Sequence, residues 1–409
     1  MADGGYDVIV VGLGAMGSAT AYQLARRSAR VLGLEAFTPA HELGSSGGLT
    51  RIIRLAYFEH PSYVPLLKAA WALWPEIERE AGDHLLEVTG GLYIGRGGSE
   101  VLDGALLSAA THGLEHELLS AAESRARYPA LQIADDMQTL HEPLAGLLLA
   151  QRCIAAHLRL AARHGAQLHF EERVTGWTLD GGEGRGTPGG GVTVTTTRGT
   201  YHAAKLVVAA GAWMPKLMPD LAPALHIPLE VERNVAFWFE PTARSEIFQR
   251  DRLPVWIIEL DAEHAFYGFP MLPQQPAADG VAATPAQGAK AARHHGGKPV
   301  DPDTIDRDAS YADEATVRDF LRRYMPLADG QRLDARVCMY TNTPDQNFVL
   351  GLDPRDERVV IASPCSGHGF KFSNVVGQIC AELALDGRTH FDIDFLSPAR
   401  FEQRQNSQV

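Results

Sequence analysis

Gly12, Gly14 and Gly17 stand in the order G-x-G-x-x-G, and Glu35 follows about 20 residues on. Glycines at that spacing let a backbone approach a pyrophosphate, amides at a helix start donate to it, and an acid at that remove accepts from a ribose hydroxyl. The chemistry is the holding of an adenine dinucleotide, with flavin and nicotinamide both open. A second candidate is the small-residue loop at 41–51, whose free amides and lack of bulk suit a planar ring or phosphates. At its end stand Arg51 and Arg54, three apart, a spacing that points both inward from one helical face. Lys290, ahead of an apolar pair, reads on its own as a solvated cation at a strand end. Cys338, alone in an apolar run, reads as a small buried hydrophobe.

The elements around these residues set their positions. Residues 7–11, Asp-Val-Ile-Val-Val, have the pattern of a buried parallel strand. A helix-like stretch at 18–25 follows the glycines, and a strand at 31–34 ends at Glu35, completing a dinucleotide-binding βαβ unit. Residues 205–208 predict another buried strand, ending in Ala209, Ala210 and Gly211, where a larger side chain would collide with a cofactor. That ending favours a flavoprotein over a simple nicotinamide dehydrogenase. Helical spacing covers 60–84 and 151–164, the latter with Gly165 as its C-cap. Residues 87–95 read as a hairpin or strand pair, and 180–191 as an extended hairpin tip. Residues 234–239 and 265–270 read as antiparallel strands with one face packed and one facing a pocket. The Pro-, Ala- and Gly-rich stretch at 274–287 reads as a flexible surface insertion in preference to a lid.

At 409 residues the chain can bury the cores of two domains. Its net charge of −13 argues against a nucleic-acid partner, because a phosphate backbone calls for clustered Lys and Arg. Cys153, Cys338, Cys365 and Cys380 lie far apart in no metal-like spacing, which implies a reducing, cytoplasmic compartment without structural disulfides or a metal site. The uncharged run at 8–25 is broken by glycines and preceded by Asp7, so neither a signal nor a membrane segment is expected.

The βαβ unit, the segment Gly-Ser-Ser-Gly-Gly-Leu-Thr-Arg-Ile-Ile-Arg-Leu-Ala-Tyr at 44–57 and the run Tyr63-Val64-Pro65-Leu66 resemble the monomeric sarcosine oxidase and N-methyltryptophan oxidase family. The likeness extends over essentially the whole chain. It implies an α/β fold in which a Rossmann-like FAD-binding domain (1–85, 146–217 and 335–400) is interleaved with an α+β substrate domain on a mostly antiparallel sheet (86–145 and 218–334). It implies FAD held by Gly12, Gly14, Gly17, Glu35, Ser45, Arg51, the backbone of Val174, Gly211, Gly367, His368, Gly369 and Lys371, with Arg51 beside the flavin ring. Arg54 and Lys371 would together grip a substrate carboxylate. Tyr267, His294 and Tyr340 would line the amine pocket. Lys290 would stand beside the ring, where a fixed cation in a dry site stabilises the superoxide formed when O2 takes an electron. The segment Cys338-Met339-Tyr340-Thr341 implies a thioether from Cys338 to the flavin 8α-methyl carbon, a thiolate being the competent nucleophile. The chain departs from the family's pattern at Ser46 and Gly47, where one or two histidines associated with flavin attachment often stand.

The activity so implied is FAD-dependent oxidation of the C–N bond of N-methyl or other secondary amino acids. The product imine hydrolyses and O2 is reduced to H2O2, by a monomer acting on small molecules. Two readings of the same class stand beside it: a flavin dehydrogenase with another electron acceptor, and an oxidase of a cyclic imino acid such as proline or pipecolate. Outside that class stands a flavin-binding module without turnover.

Overall fold

The computed structural model describes residues 5–181, 190–221, 227–277, 281–284 and 288–401. The chain begins in an eight-stranded sheet with β1 (Tyr6–Val11), α1 (Ala15–Arg26) and the parallel β2 (Val31–Leu34). Val8 and Val10 of β1 belong to one apolar cluster, Ile9 and Val11 to another. A strand buried on both faces needs just such an unbroken apolar run. The chain leaves through β3 (Thr50–Ile53), α2 (Val64–Ala81) and β4 (Leu86–Val88). It then enters a nine-stranded sheet with β5 (Gly91–Gly95), α3 (Glu100–His112), β6 (Glu117–Ser120), α4 (Ala121–Arg127) and β7 (Gln138–Glu142). The return runs along β8 (Gly146–Leu149), α5 (Ala150–Arg163), β9 (Gln167–His169), β10 (Val174–Leu179), β11 (Val192–Thr196), β12 (Thr200–Val208) and α6 (Met214–Leu221). A second visit to the nine-stranded sheet takes β13 (Glu230–Phe239), β14 (Val255–Asp261), β15 (His264–Phe269), β16 (Ala289–His294), β17 (Lys298–Pro299), α7 (Tyr311–Tyr324) and β18 (Arg332–Asn342). Finally β19 (Val349–Asp353), β20 (Asp356–Ser363) and α8 (Ser373–Asp386) rejoin the first sheet.

The first sheet has the order β10-β11-β12-β1-β2-β9, with β20 parallel to β12 and β19 paired to β20. The second has the order β17-β13-β16-β15-β14-β5-β7-β6, with β18 also on β13, and is antiparallel except between β5 and β14. A small sheet, β3-β8-β4, carries the crossings. Among the described residues no helix is long and apolar enough to cross a membrane, and all four cysteines are free thiols.

Several local expectations change. Residues 87–95 do not pair with each other: β4 lies on β8 in the small sheet, while β5 lies between β7 and β14. Arg51 and Arg54 do not share a helical face, because Thr50–Ile53 is a strand antiparallel to β8 and Arg54 follows its end. The β-branched Thr and Ile flanking Arg51 favour that extended form. The boundary expected at 335 falls inside β18, which pairs with β13 along its whole length, so Cys338 stands on the nine-stranded sheet. β10 and β11 are antiparallel neighbours; the expected hairpin tip between them lies largely outside the described residues. Within 274–287, Gln275 and Thr284 form an antiparallel bridge, and 278–280 and 285–287 are outside the described residues.

Gly17 shows why the first turn admits no side chain. A Cβ there would lie 1.7 Å from the Gly12 carbonyl oxygen. Gly17→Ala is therefore expected to cost about 1–3 kcal/mol or more through overpacking, visible as a lowered Tm in thermal melting.

Candidate active site

A groove starts at the carboxyl ends of β1, β2 and β12 and continues between the two large sheets. Its near end is lined by Gly12, Gly14, Glu35, Ser45, Val174 and Gly211. Gly14 and Gly211 stand where a Cβ would enter open space, with Ser46 Oγ at 3.9 Å the nearest neighbour of the first and nothing within 4 Å of the second. Gly12 has φ +86° and its Cβ would meet the Ala209 carbonyl at 2.6 Å, so the turn needs glycine. Glu35 Oε2 accepts from the Leu13 amide at 2.8 Å, Oε1 from the Phe37 amide at 3.1 Å, and His41 Nε2 lies at 3.4 Å. Burial works to raise its pKa, but His41 and these amides overcome that and hold the carboxyl ionised, below its usual range. Ser45 Oγ is buried without a hydrogen-bond partner among the described residues. An unmet hydroxyl, glycines opening on empty space and an ionised acid at the end of β2 together fit an adenine dinucleotide.

The far end is lined by Arg51, Arg54, Tyr267, His294, Cys338, Tyr340, Gly367, His368, Gly369 and Lys371. Strand alternation explains the convergence: Tyr267 and Phe269 lie on one face of β15, and Lys290 and His294 on one face of the neighbouring β16. Gly17 and Lys290 do not line the groove. Lys290 is 2 % exposed, behind Arg51, and its Nζ donates to Gly48 O at 2.7 Å, Thr50 O at 3.1 Å and Thr50 Oγ1 at 3.1 Å. Arg51 Nη1 donates to the same Thr50 carbonyl at 2.8 Å, so one oxygen joins two cations. Burial, with Arg51 second, pushes the Lys290 pKa well below that of a free lysine. The oxygens and the faces of Phe269 and Trp238, with centroids at 4.5 and 4.9 Å, favour the ammonium form. Burial raises the pKa of the Cys338 thiol, while Arg51 and Lys290 pull it the other way.

Arg54 is 3 % exposed, and its Nη2 donates to Glu59 Oε1 at 2.5 Å. The guanidinium lies 4.2 Å from the ring centroids of both Tyr57 and Phe58. Its Nη1 and Glu59 Oε2 are buried without hydrogen-bond partners among the described residues. Burial opposes ionisation of Glu59, yet Arg54, His368 and Lys371 hold its pKa below the usual range. Lys371 Nζ donates to His368 O at 2.7 Å, and burial followed by Arg54 lowers its pKa well below the free value. His368 Nε2 meets the Gln346 carbonyl at 3.0 Å, which fixes the proton on that nitrogen and leaves Nδ1 to accept from the Tyr57 hydroxyl. Burial pushes the His368 pKa down to about 4, so the ring is neutral. His294, its ring 5.8 Å from that of Tyr340, is likewise held neutral by burial.

Sequence reasoning missed Glu59, Tyr57, Tyr93 and Glu142. Tyr57 and Glu59 sit just beyond Arg54, and an acid five residues after a buried arginine was the available signal for Glu59. Nothing in the sequence links Glu142 to residue 55, 87 positions away.

A two-face-buried βαβ unit opening on a dinucleotide groove, which ends among buried cations and two neutral histidines, His294 and His368, defines a dinucleotide-dependent oxidoreductase. The chain belongs to the FAD dependent oxidoreductase family, which it matches over residues 7–383, and within it to the sarcosine oxidase and N-methyltryptophan oxidase group. It is 43% identical to a monomeric sarcosine oxidase of Streptomyces avermitilis, over 97% of each chain. It is 32% identical to an N-methyl-L-tryptophan oxidase of Yersinia pestis, over 97% of this chain and 99% of that one. Among solved structures, NikD, an unusual amino acid oxidase essential for nikkomycin biosynthesis, superimposes with a TM-score of 0.80 at 27% identity, over 97% of this chain and 98% of its own.

Proposed function

We propose that this chain oxidises N-methyl or other secondary amino acids at the C–N bond, with O2 as electron acceptor. The observation that carries the reading is the buried Arg54, whose Nη1 has no partner among the described residues while Lys371 faces the same cleft. A desolvated guanidinium with one free edge calls for an anion of the size of a carboxylate. The relatives named for sarcosine and N-methyl-L-tryptophan oxidation support an amino acid as the owner of that carboxylate.

When bound, FAD would supply the redox chemistry, that is, acceptance of a hydride from the carbon beside the amine nitrogen and return of the electrons to O2. Arg54 and Lys371 hold the carboxylate, and Glu59 keeps Arg54 in place when no substrate is bound. Tyr267, Tyr340 and neutral His294 form the wall against the amine. A neutral histidine places no charge beside the amine, and the apolar surroundings exclude water. The neutral amine, its proton left in solvent on binding, is the form whose lone pair assists hydride departure. Gly12, Gly14, Gly211, Glu35, Ser45 and the Val174 backbone hold the dinucleotide, with Gly367 to Gly369 at the ring end. Lys290, through its shared carbonyl with Arg51, keeps positive charge where oxygen is reduced. Free thiols support the cytoplasm as compartment, and the relative's name supports a monomer.

Anaerobic mixing of the holoenzyme with sarcosine and with N-methyl-L-tryptophan tests the activity: bleaching of the flavin absorbance by either is expected, and bleaching by neither overturns the reading. Covalent attachment at Cys338 is tested by acid precipitation. Yellow flavin is expected to stay with the wild-type pellet and to leave it in Cys338→Ala; release from the wild type leaves Cys338 as a packing residue.

A further inference from the structure

We propose that Glu142 is the positioning residue of the carboxylate grip, and that its protonation is coupled to occupancy of that grip by an anion. The inference rests on the reading of Arg54 given above.

Glu142 closes β7 and is 1 % exposed. Its Oε1 accepts from the amides of Leu55 at 2.9 Å and Ala56 at 3.0 Å, the two residues directly after Arg54. Its Oε2 accepts from the Tyr93 hydroxyl of β5. The Tyr93 ring centroid in turn lies 5.9 Å from the Arg54 guanidinium carbon. One carboxyl group thus fixes the turn that carries Arg54 from behind and an aromatic ring beside its head group. Among the described residues those two amides have no other acceptor, so losing Glu142 would free the backbone on which the arginine is mounted. A group that only filled space would not need both oxygens spent on the same turn and its flanking ring.

The ionisable groups around Glu142 are Tyr93 from β5 and Arg54 from the turn, with Glu59 paired to the guanidinium and Tyr57 packed on it. Burial raises the Glu142 pKa to about 7, against the three hydrogen bonds and Arg54, which favour the ionised form. A bound carboxylate adds a second anion to the low-dielectric space around Arg54 and raises the Glu142 pKa further. By linkage, anion binding is fully favoured below the free-enzyme pKa of Glu142 and weakens as pH rises through the pKa of the complex.

The experiment uses the holoenzyme and acetate, a carboxylate without an amine, with binding read from the flavin spectrum on either side of pH 7. For the wild type, affinity is expected to fall about five- to tenfold as pH rises. In Glu142→Gln, which keeps an oxygen for both amides but cannot ionise, binding is expected to be flat with pH. Tyr93→Phe, which keeps the ring and both amide bonds, is expected to shift the midpoint while leaving the fold intact. Glu142→Ala is expected to raise KM for an N-methyl amino acid about tenfold or more while kcat falls far less. A pH slope that survives in Glu142→Gln would place the titration on another group and overturn the proposal, as would a kcat that falls as far as KM rises across the variants. A wild type that binds no acetate and is bleached by no N-methyl amino acid would instead overturn the underlying reading of the site.

Discussion

Arg54→Ala lowers kcat/KM for an N-methyl amino acid by about 10²–10³-fold, the expected result of removing one partner of a desolvated charge pair. The loss has two sources. The substrate carboxylate loses its fork of donors, and Glu59, 12 % exposed and now unpaired, must be protonated or rehydrated in a buried cleft. Arg54→Lys restores a charge but not the planar fork, and is expected to recover only part of the loss. The control is a secondary amine without a carboxylate: its kcat/KM should be nearly the same in wild type and variant. Steady-state kinetics on both substrates decides the matter. Equal losses on both would mean that Arg54 supports the fold rather than the carboxylate. Because Arg54, Glu59 and Lys371 act on one ligand, double variants should fall short of additivity.

The second large effect is at Lys290. Lys290→Met keeps much of the buried volume but removes the ammonium held by Gly48 and Thr50. Anaerobic reduction of the flavin by substrate should stay within about threefold of wild type, while reoxidation by O2 slows by about 10²–10³-fold, the scale of losing one preorganised electrostatic contact. The two half-reactions separate in stopped flow. Because Lys290 does not line the groove, the prediction asks its charge to act through the carbonyl it shares with Arg51. An unchanged oxidative rate would leave it as a structural lysine tying β16 to β3.

How far the sequence announced this site depends on whether a residue's partner is near in the chain. The turn at Gly12, Gly14 and Gly17 and the acid at Glu35 form one local unit, so their spacing alone carried the geometry. Cys338, His368 and Lys371 were found through short motifs, and all three line one groove with Arg54. The extended form of residues 50–53 was not legible, because the spacing of Arg51 and Arg54 suits a helix and pairing with β8, far along the chain, decides for the strand. The separation of β4 and β5 into different sheets escaped for the same reason: Gly90, with φ +74°, ends one strand and redirects the next, and no local pattern distinguishes that from a hairpin. β18 reads as a strand from its residues, but its neighbour β13 is set by tertiary pairing.

The position of Cys338 has a consequence for the protein's life outside the assay. The thiol stands in the middle of β18 on one sheet, while the glycine turn that receives the nucleotide belongs to the other. With flavin attached at Cys338, unfolding would pull the nucleotide out of its cradle yet leave the cofactor on a leash, at an effective concentration near millimolar. A reversibly bound ligand protects a fold only in proportion to its free concentration. A leashed one protects equally in a dilute cell extract and in a concentrated stock, and survives dialysis of the denatured chain, so each molecule would refold around the flavin it already owns.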